Sequence, residues 1–189
     1  MTTLDEAWAW YLAAAGGMKR LSHLAKHWDS FPWDGEADWI KRMQKDEVLR
    51  HLEANQLAEE AKTVQQELDD LAVLVLFSVF EAIIRDLVEE QIRPEIAILQ
   101  HAFLKTTSED ILRRVTEGSF FHVLETFKSV VTDDLTEQVN QVRHYRNWVA
   151  HGRRPRSSGK QMATVQPKEA FERLSKCLAL IRSSTTRPV

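Results

Sequence analysis

Apolar side chains recur at helical spacing along most of the chain, and most strongly between residues 57 and 92. Seven of them follow one another at intervals of three and four residues: Val64, Leu68, Leu71, Val75, Val79, Ile83 and Leu87. Further Leu, Phe and Ile residues widen this stripe, which predicts a helix buried on more than one side in the centre of a bundle. We expect this helix to end near Arg93-Pro94, because the residue before a proline disfavours the helical conformation.

Shorter helical patterns flank this central segment. Before it, the patterns cover residues 4–15, stopped by Gly16-Gly17, then about 18–28, and, after a turn at 30–35, about 36–55. After it, one pattern covers 94–104 with Pro94 at its first position, and two more cover 109–116 and 120–131, with Ser108 and Ser119 as N-caps. The next pattern covers 135–151, where Asp134 and Glu137 form a capping box at the start and Gly152 stops the helix. A last helix begins at Pro167.

These patterns predict an all-α protein. Only 6 Gly and 5 Pro occur in 189 residues, which is too few for the turns of a β-sandwich. We expect an up-and-down bundle of four to five helices over residues 56–189. Residues 1–55 are predicted to form an N-terminal helical extension.

The composition of the chain indicates the cellular compartment in which we expect it. The longest apolar run, 71–80, is half of the roughly 20 residues that span a bilayer, and the acidic N-terminus does not resemble a secretory signal. The single cysteine, Cys177, excludes an internal disulfide and fits a reducing compartment. We therefore expect a cytoplasmic protein with no membrane association.

Charge is distributed unevenly along the chain. Residues 139–189 contain eleven Lys and Arg but only two Asp and Glu, whereas residues 1–138 contain fourteen and twenty-six. The basic part suits a polyanion such as nucleic acid, or an acidic face of a second copy of the chain. Asymmetry alone does not decide between these two partners.

One segment, Arg143–His151, concentrates the polar chemistry. On a helical wheel at about 100° per residue, Arg143, His144, Asn147 and His151 line one edge. All four can form a hydrogen bond with a phosphate or a hydroxyl. The opposite face carries three valines, and Arg146 falls in the middle of them.

Arg146 needs a partner on that apolar face, because a guanidinium does not lose its charge. Glu81 is the only charged residue between Leu71 and Ile84 of the central helix. We predict that Glu81 and Arg146 form an ion pair. The alternative is that such a pair only fixes the register of the helices.

The segment Arg146-Asn147-Trp148-Val149-Ala150-His151 resembles a family motif. It matches the pattern of Arg, a polar residue, three variable residues and His in the HEPN superfamily (higher eukaryotes and prokaryotes nucleotide-binding domains). The flanks, 142–145 and 152–154, resemble that family's transition from helix to loop. Phe80-Glu81 within 77–87 is similar to the first core helix of several HEPN groups, so that the resemblance covers about residues 57–183.

The resemblance implies a metal-independent endoribonuclease with no cofactor. His151 would act as general base or acid, and its ordinary pKa of about 6.5 suits proton transfer near neutral pH. Arg146 would stabilise charge on the scissile phosphate, and Asn147 would orient the histidine or the phosphate. Glu81 and His144 would support these residues, and the product would be a 2′,3′-cyclic phosphate.

Active HEPN proteins form dimers in which two motif helices face one cleft. This implied homodimer addresses a geometric difficulty, because Arg146 and His151 are five residues and therefore about 140° apart on an ideal helix. Either fraying at Gly152 swings His151 around, or each site takes its Arg and His from different protomers. Both alternatives remain open from the sequence.

Basic residues around the motif predict contacts with RNA phosphates. They are Arg143, Arg153, Arg154 and Arg156, and Lys160 lies in the same loop. The alternative is a solvated loop. Some HEPN toxins carry a tyrosine two residues after the motif histidine, which a partner antitoxin modifies. Arg153 occupies that position here, which weakens that route, although an antitoxin or other regulatory protein remains a candidate partner.

Three hypotheses follow for the function of the chain. The first is a HEPN ribonuclease acting as a toxin or a phage-defence effector. The second is a non-catalytic HEPN-like module that binds RNA, a nucleotide or a protein. The third is a structural, dimerising bundle in which Arg146 only satisfies Glu81. His23 and His27 are spaced like two metal ligands but lack a third, and we predict no metal site.

Overall fold

The computed structural model describes residues 1–153 and 163–185, and these form an all-α structure in which no strand is present. Its α-helices are α1 (Leu4–Lys26), α2 (Asp38–Lys45), α3 (Glu47–Arg50), α4 (Ala54–Ala97), α5 (Ala102–Glu117), α6 (Phe120–Glu125), α7 (Asp133–Ala150) and α8 (Pro167–Thr185). A short 3-10 helix, Trp28–Ser30, follows α1. The predicted all-α class is therefore confirmed.

The chain divides into two compact units. The first comprises residues 1–8 and 70–189, and the second comprises residues 9–69. This division falls inside α1 and inside α4, whereas the sequence predicts a domain boundary at residues 55 and 56.

The core of the first unit contains the apolar face of α4 that the sequence predicts. Phe77, Phe80 and Ile84 are at most 1% exposed, and they belong to one cluster with buried residues of α6, α7 and α8. The rings of Phe77 and Phe120 meet edge to face with centroids 5.5 Å apart. Trp8 is stacked against Phe171, which ties the first turns of α1 to α8. These contacts place α7 within a well-packed bundle.

The second unit has a small core of its own, built around tryptophan. Trp28 is 5% exposed and clusters with Ala25 and Leu57. Its indole N–H donates to the carbonyl of Leu52 at 2.8 Å, and the indole of Trp33 packs edge to face against it. Buried indoles need such an acceptor, which explains how this aromatic-rich segment orders a small unit.

Two predicted helix ends are wrong. Helix α1 continues through Gly16 and Gly17, which cost about 1 kcal/mol each within a helix but are surrounded by strong helix formers. Helix α4 continues through Pro94 to Ala97. Only one turn follows the proline, and Ile96 in that turn is 6% exposed, so that burial offsets the lost hydrogen bond.

The predicted starts of later helices also need correction. One helix, α5, covers 102–117 where the sequence predicts one helix ending at 104 and another beginning at 109. Helix α6 does begin after Ser119, as predicted, but ends at Glu125. Helix α7 begins two residues early, because Thr132 and not Asp134 is its N-cap, with Oγ1 accepting from the N–H of Leu135 at 3.3 Å.

Cys177 lies fully buried in the core of the first unit, as a spectator thiol would. Burial raises the pKa of Cys177 to about 12, so that the thiol stays protonated near neutral pH. Within the described residues, the helices are all too short or too polar to cross a lipid bilayer.

Replacement of Gly16 by alanine should stabilise the protein. A methyl group at this position meets nothing within 4 Å, and it removes backbone freedom from the unfolded chain. We expect the free energy of unfolding to rise by about 0.5–1 kcal/mol, measured by urea unfolding followed by circular dichroism. Gly118→Ala is the matched control: its methyl group would collide with the carbonyl oxygen of Arg114, and the variant should be destabilised. Destabilisation by Gly16→Ala would contradict a continuous α1.

Candidate functional site

The C-terminal end of α7 is closed by three backbone hydrogen bonds. The N–H groups of His151, Gly152 and Arg153 donate to the carbonyls of Asn147, Val149 and Trp148 at 3.1, 3.0 and 2.9 Å. Gly152 has a φ of 74°, in the left-handed region. This is a Schellman arrangement, and it confirms Gly152 as the predicted stop of the helix. The turn that carries His151 is therefore not frayed.

Asp70 of α4 binds two groups at this helix end. The hydroxyl of Tyr145 donates to Oδ1 of Asp70, and the Nε–H of Arg153 donates to Oδ2 at 2.9 Å. A terminal guanidinium nitrogen of Arg153 also reaches Oδ2, which completes an ion pair. Arg153 has a left-handed φ of 56°, a conformation that costs an L-residue free energy unless its surroundings hold it. Asp70 provides this hold and fixes the segment after His151.

Arg146 lies on the apolar side of α7, as the helical wheel predicts. Its guanidinium carbon is 5.8 Å from the centroid of the Phe77 ring, and one terminal N–H donates to Oδ1 of Asn147 at 3.0 Å. Its Nε is buried and has no hydrogen-bond partner among the described residues. The cation therefore keeps an unsatisfied donor beside an aromatic ring.

The predicted ion pair between Glu81 and Arg146 is wrong. Glu81 instead pairs with Arg85 one turn later on α4, with 2.6 Å between the carboxylate and the guanidinium. Arg85 also donates to the carbonyls of Thr116 and Gly118, at 3.0 and 2.8 Å, and so joins α4 to the end of α5. The i, i+4 spacing within one helix brings Glu81 and Arg85 together without ordering a second element, which explains the different choice of partner.

The predicted polar edge of α7 is open only at its C-terminal end. Asn140, one turn before the motif, is 9% exposed, and its Oδ1 accepts from the Nε–H of Arg143 at 3.1 Å. Arg143, His144 and Asn147 are half-buried, whereas His151 is exposed. Burial lowers the pKa of Arg143 from its ordinary value. The guanidinium of Arg143 lies 3.5 Å from Nε2 of His144.

The structure thus does not bring all of the predicted site residues together. Arg146 and Asn147 contact each other, Arg143 and His144 are neighbours, and His151 stands exposed at the helix end. Arg153 follows His151 but is engaged by Asp70. Glu81 belongs to a different network with Arg85. Arg154, Arg156 and Lys160, predicted to bind phosphate, lie outside the described residues.

Sequence reasoning missed Asp70 and the structural role of Tyr145. Asp70 directly precedes the apolar run of α4, where an acidic residue does not differ from other polar residues that border an apolar segment. Tyr145 borders the apolar face of α7 and is 3% exposed, and a buried tyrosine hydroxyl needs a partner. This need for a partner could have indicated that Tyr145 has a structural role, although it does not identify the carboxylate that accepts the hydrogen bond.

The arrangement offers a cation and an exposed imidazole on one helix, but not on one side of it. Backbone hydrogen bonding continues to His151, so that the helical separation of about 140° from Arg146 is retained. Within one chain these two side chains point in different directions. Among the described residues, no group of three or more His, Cys, Asp or Glu is placed to hold a metal ion.

Comparisons with known proteins do not extend these observations. No family model, no curated protein and no solved structure matches this chain.

Replacement of Asp70 by asparagine should weaken the end of α7. Asparagine still accepts a hydrogen bond from Tyr145 but cannot neutralise Arg153, whose left-handed conformation then loses its support. We expect a loss of about 1–2 kcal/mol in the free energy of unfolding, together with faster amide hydrogen exchange at Gly152 and Arg153.

Asp110→Asn provides the control for this substitution. Asp110 pairs with Arg113 on the exposed surface of α5, where both side chains are more than half exposed. Loss of such a pair costs about 0–1 kcal/mol. Equal effects of the two substitutions, or unchanged exchange at Gly152 in Asp70→Asn, would contradict the role given to Asp70.

Proposed function

We propose that this protein is a metal-independent endoribonuclease of HEPN type that cleaves RNA at a cleft between two protomers. The proposal rests on two residues of the motif. Arg146 is half-buried, with one nitrogen that has no hydrogen-bond partner among the described residues, and His151, five residues later, is exposed. These are the two residue types, at the spacing, that the resemblance assigns to catalysis. The proposal extends to an up-and-down HEPN-like arrangement of the bundle.

Arg146 would stabilise the negative charge that develops on the scissile phosphate. Its side chain is positioned before substrate arrives, by the ring of Phe77 and by Asn147. Such preorganisation matters, because a cation held in place costs no reorganisation during the reaction. Its Nε–H has no acceptor among the described residues but is buried, so that a phosphate would be bound by the terminal nitrogens of the guanidinium.

His151 would transfer the proton. Acting as a general base, its imidazole removes the proton of the ribose 2′-hydroxyl, and that oxygen attacks the neighbouring phosphorus. The bond from phosphorus to the 5′-oxygen then breaks, and the leaving oxygen takes up a proton from an acid. The products are a 2′,3′-cyclic phosphate and a 5′-hydroxyl. Solvent exposure of His151 leaves it accessible to an RNA strand.

A second protomer would complete the cleft. Fraying of the helix was one way for His151 to reach Arg146, but three backbone hydrogen bonds close this end. We therefore favour the alternative in which each cleft takes Arg146 from one protomer and His151 from the other, across a homodimer formed through the motif helices.

The basic residues around the motif would hold the RNA backbone. Arg153 would take this role by exchanging the carboxylate of Asp70 for a phosphate. Arg143 borders the polar edge, and Arg154 and Arg156 follow in sequence. Contacts of this kind are electrostatic and do not read sequence. The corresponding biology is that of a cytoplasmic toxin or phage-defence effector, with an antitoxin or regulatory protein as a further partner.

One observation favours a second candidate, a non-catalytic HEPN-like module that binds RNA, a nucleotide or a protein. Arg146 is half-buried beside Phe77, which suits a cation that supports the bundle as well as one that binds substrate. In that case the exposed His151 and the basic loop would bind a ligand without transferring a proton.

Cleavage of RNA in EDTA tests the catalytic proposal. Purified protein is incubated with mixed cellular RNA in the chelator, and fragments are examined for 2′,3′-cyclic phosphate ends. We expect cleavage by the wild type, and a loss of about 100-fold or more in each of Arg146→Ala and His151→Ala.

Two control variants match these substitutions in chemistry. Arg113→Ala removes an arginine whose side chain is 67% exposed on α5, and His122→Ala removes a histidine whose side chain is 76% exposed on α6. Both should cleave RNA like the wild type. Cleavage that requires a metal, or that survives both motif substitutions in folded protein, would refute the mechanism. RNA binding without cleavage would favour the second candidate.

A further inference from the structure

A cavity of about 370 Å³ lies between α1 and α4 in the unit of residues 9–69. Met18, Lys19, His23 and Lys26 of α1 line it, together with Lys62 and Gln65 of α4. Its volume falls within the range of pockets that bind small molecules, about 300–1,000 Å³. The motif on α7 takes no part in this cavity.

The charged side chains that line this cavity are positive, although the surrounding unit is acidic. Residues 9–69 contain eight Lys and Arg but eleven Asp and Glu, so that the unit as a whole is acidic. Every ionisable residue that lines the cavity is nevertheless basic: three lysines and one histidine, with no carboxylate. Lys19, Lys26 and Lys62 form no salt bridge with any described residue. These three cations line one cavity and have no carboxylate partner among the described residues.

The carboxylate of Asp69 accepts hydrogen bonds from neutral groups of the same unit. Asp69, one turn after Gln65, accepts a hydrogen bond from the hydroxyl of Tyr11 at 2.8 Å and another from the amide of Gln65 at 2.6 Å. These bonds hold Gln65 at the cavity wall, and its Oε1 is buried without a donor among the described residues. The cavity therefore combines positive charge with amide and hydroxyl groups, since Ser22 and Gln66 also line it.

The number of cations indicates the charge of the anion. Three lysines suit an anion with more than one negative charge, as a phosphate monoester has near neutral pH, and lysine binds phosphate as a compact point charge. All three cations here are lysines, and their aliphatic stems, with Met18, can cover the non-polar part of a ligand. Side chains of Ser22 and Gln66 suit hydroxyl groups.

We propose that this cavity binds a sugar phosphate, with Lys19, Lys26 and Lys62 around the phosphate and the amide and hydroxyl side chains around the sugar. The proposal does not depend on ribonuclease activity. It assigns a ligand-binding site to the unit formed by residues 9–69.

Isothermal titration calorimetry of the full-length protein tests this site. Ribose 5-phosphate, inorganic phosphate and ribose are titrated separately at low ionic strength. We expect ribose 5-phosphate to bind with a stoichiometry of one per chain, inorganic phosphate to bind more weakly, and ribose to give no detectable heat. A short oligoribonucleotide is titrated as a fourth arm, to distinguish a free sugar phosphate from a phosphate within an RNA strand.

A pair of charge-matched variants locates the binding. Lys19→Gln with Lys62→Gln removes two positive charges from the cavity, and Lys41→Gln with Lys45→Gln removes two from the exposed surface of α2 in the same unit. All four lysines are exposed, so both variants should fold, as circular dichroism can verify. We expect the Kd for ribose 5-phosphate to rise by about tenfold or more in the cavity variant and to change less than about twofold in the control.

Three results would overturn the proposal. The first is binding of ribose 5-phosphate to the wild type that is no tighter than the binding of ribose. Equal weakening in the two variants would indicate unspecific attraction to a cationic surface. Binding of the oligoribonucleotide that the cavity variant weakens and the control variant does not, with no heat from ribose 5-phosphate, would assign the cavity to an RNA strand and not to a small phosphorylated molecule.

Discussion

A permanent positive charge on the apolar face of α7 constrains this structure more than any other single feature. Arg146 cannot deprotonate, yet the sequence places it among the valines that face the bundle. The fold accommodates the charge by stacking the guanidinium near Phe77 and by using the neighbouring Asn147 as an acceptor. Within residues 1–153 and 163–185 no carboxylate pairs with Arg146, and Glu81 is engaged by Arg85. The cation is consequently held in place but only partly satisfied, which is the condition under which it would bind a phosphate strongly.

The geometry of the helix end determines how that cation could take part in chemistry. Asp70 connects α4 to the segment after His151, and Gly152 closes the helix in the left-handed conformation. His151 is thereby kept exposed and kept on a different side of α7 from Arg146. A rigid end of this kind makes rearrangement within one chain costly. An intermolecular cleft uses both residues where they already are, and this is why the proposed function requires a dimer.

Several elements followed from the sequence because local rules determine them. The central helix, the Pro167 start of α8 and the Gly152 stop of α7 depend on periodicity and on capping chemistry, which act over a few residues. The ends of α1 and α4 were wrong because propensity is weak against packing: Gly16-Gly17 and Pro94 lie inside longer helices. Two features of the candidate site, the exposure of His151 and the position of Arg146 on the apolar face, could be predicted from the helical wheel of α7. The partners were not predicted. The binding of Tyr145 and Arg153 to Asp70 depends on how helices distant in sequence pack, whereas the pair of Glu81 and Arg85 is local to α4 and its i, i+4 spacing was overlooked.

The composite cleft is tested most directly by mixing two inactive variants. Arg146→Ala and His151→Ala chains are co-expressed in equal amounts, and RNA cleavage by the mixture is compared with that of each variant alone. If each cleft takes its arginine and its histidine from different protomers, half of the dimers contain one intact cleft, and the mixture should recover about one quarter of the wild-type activity. A mixture that stays as inactive as the separate variants, while the wild type cleaves RNA, would contradict a cleft shared between protomers.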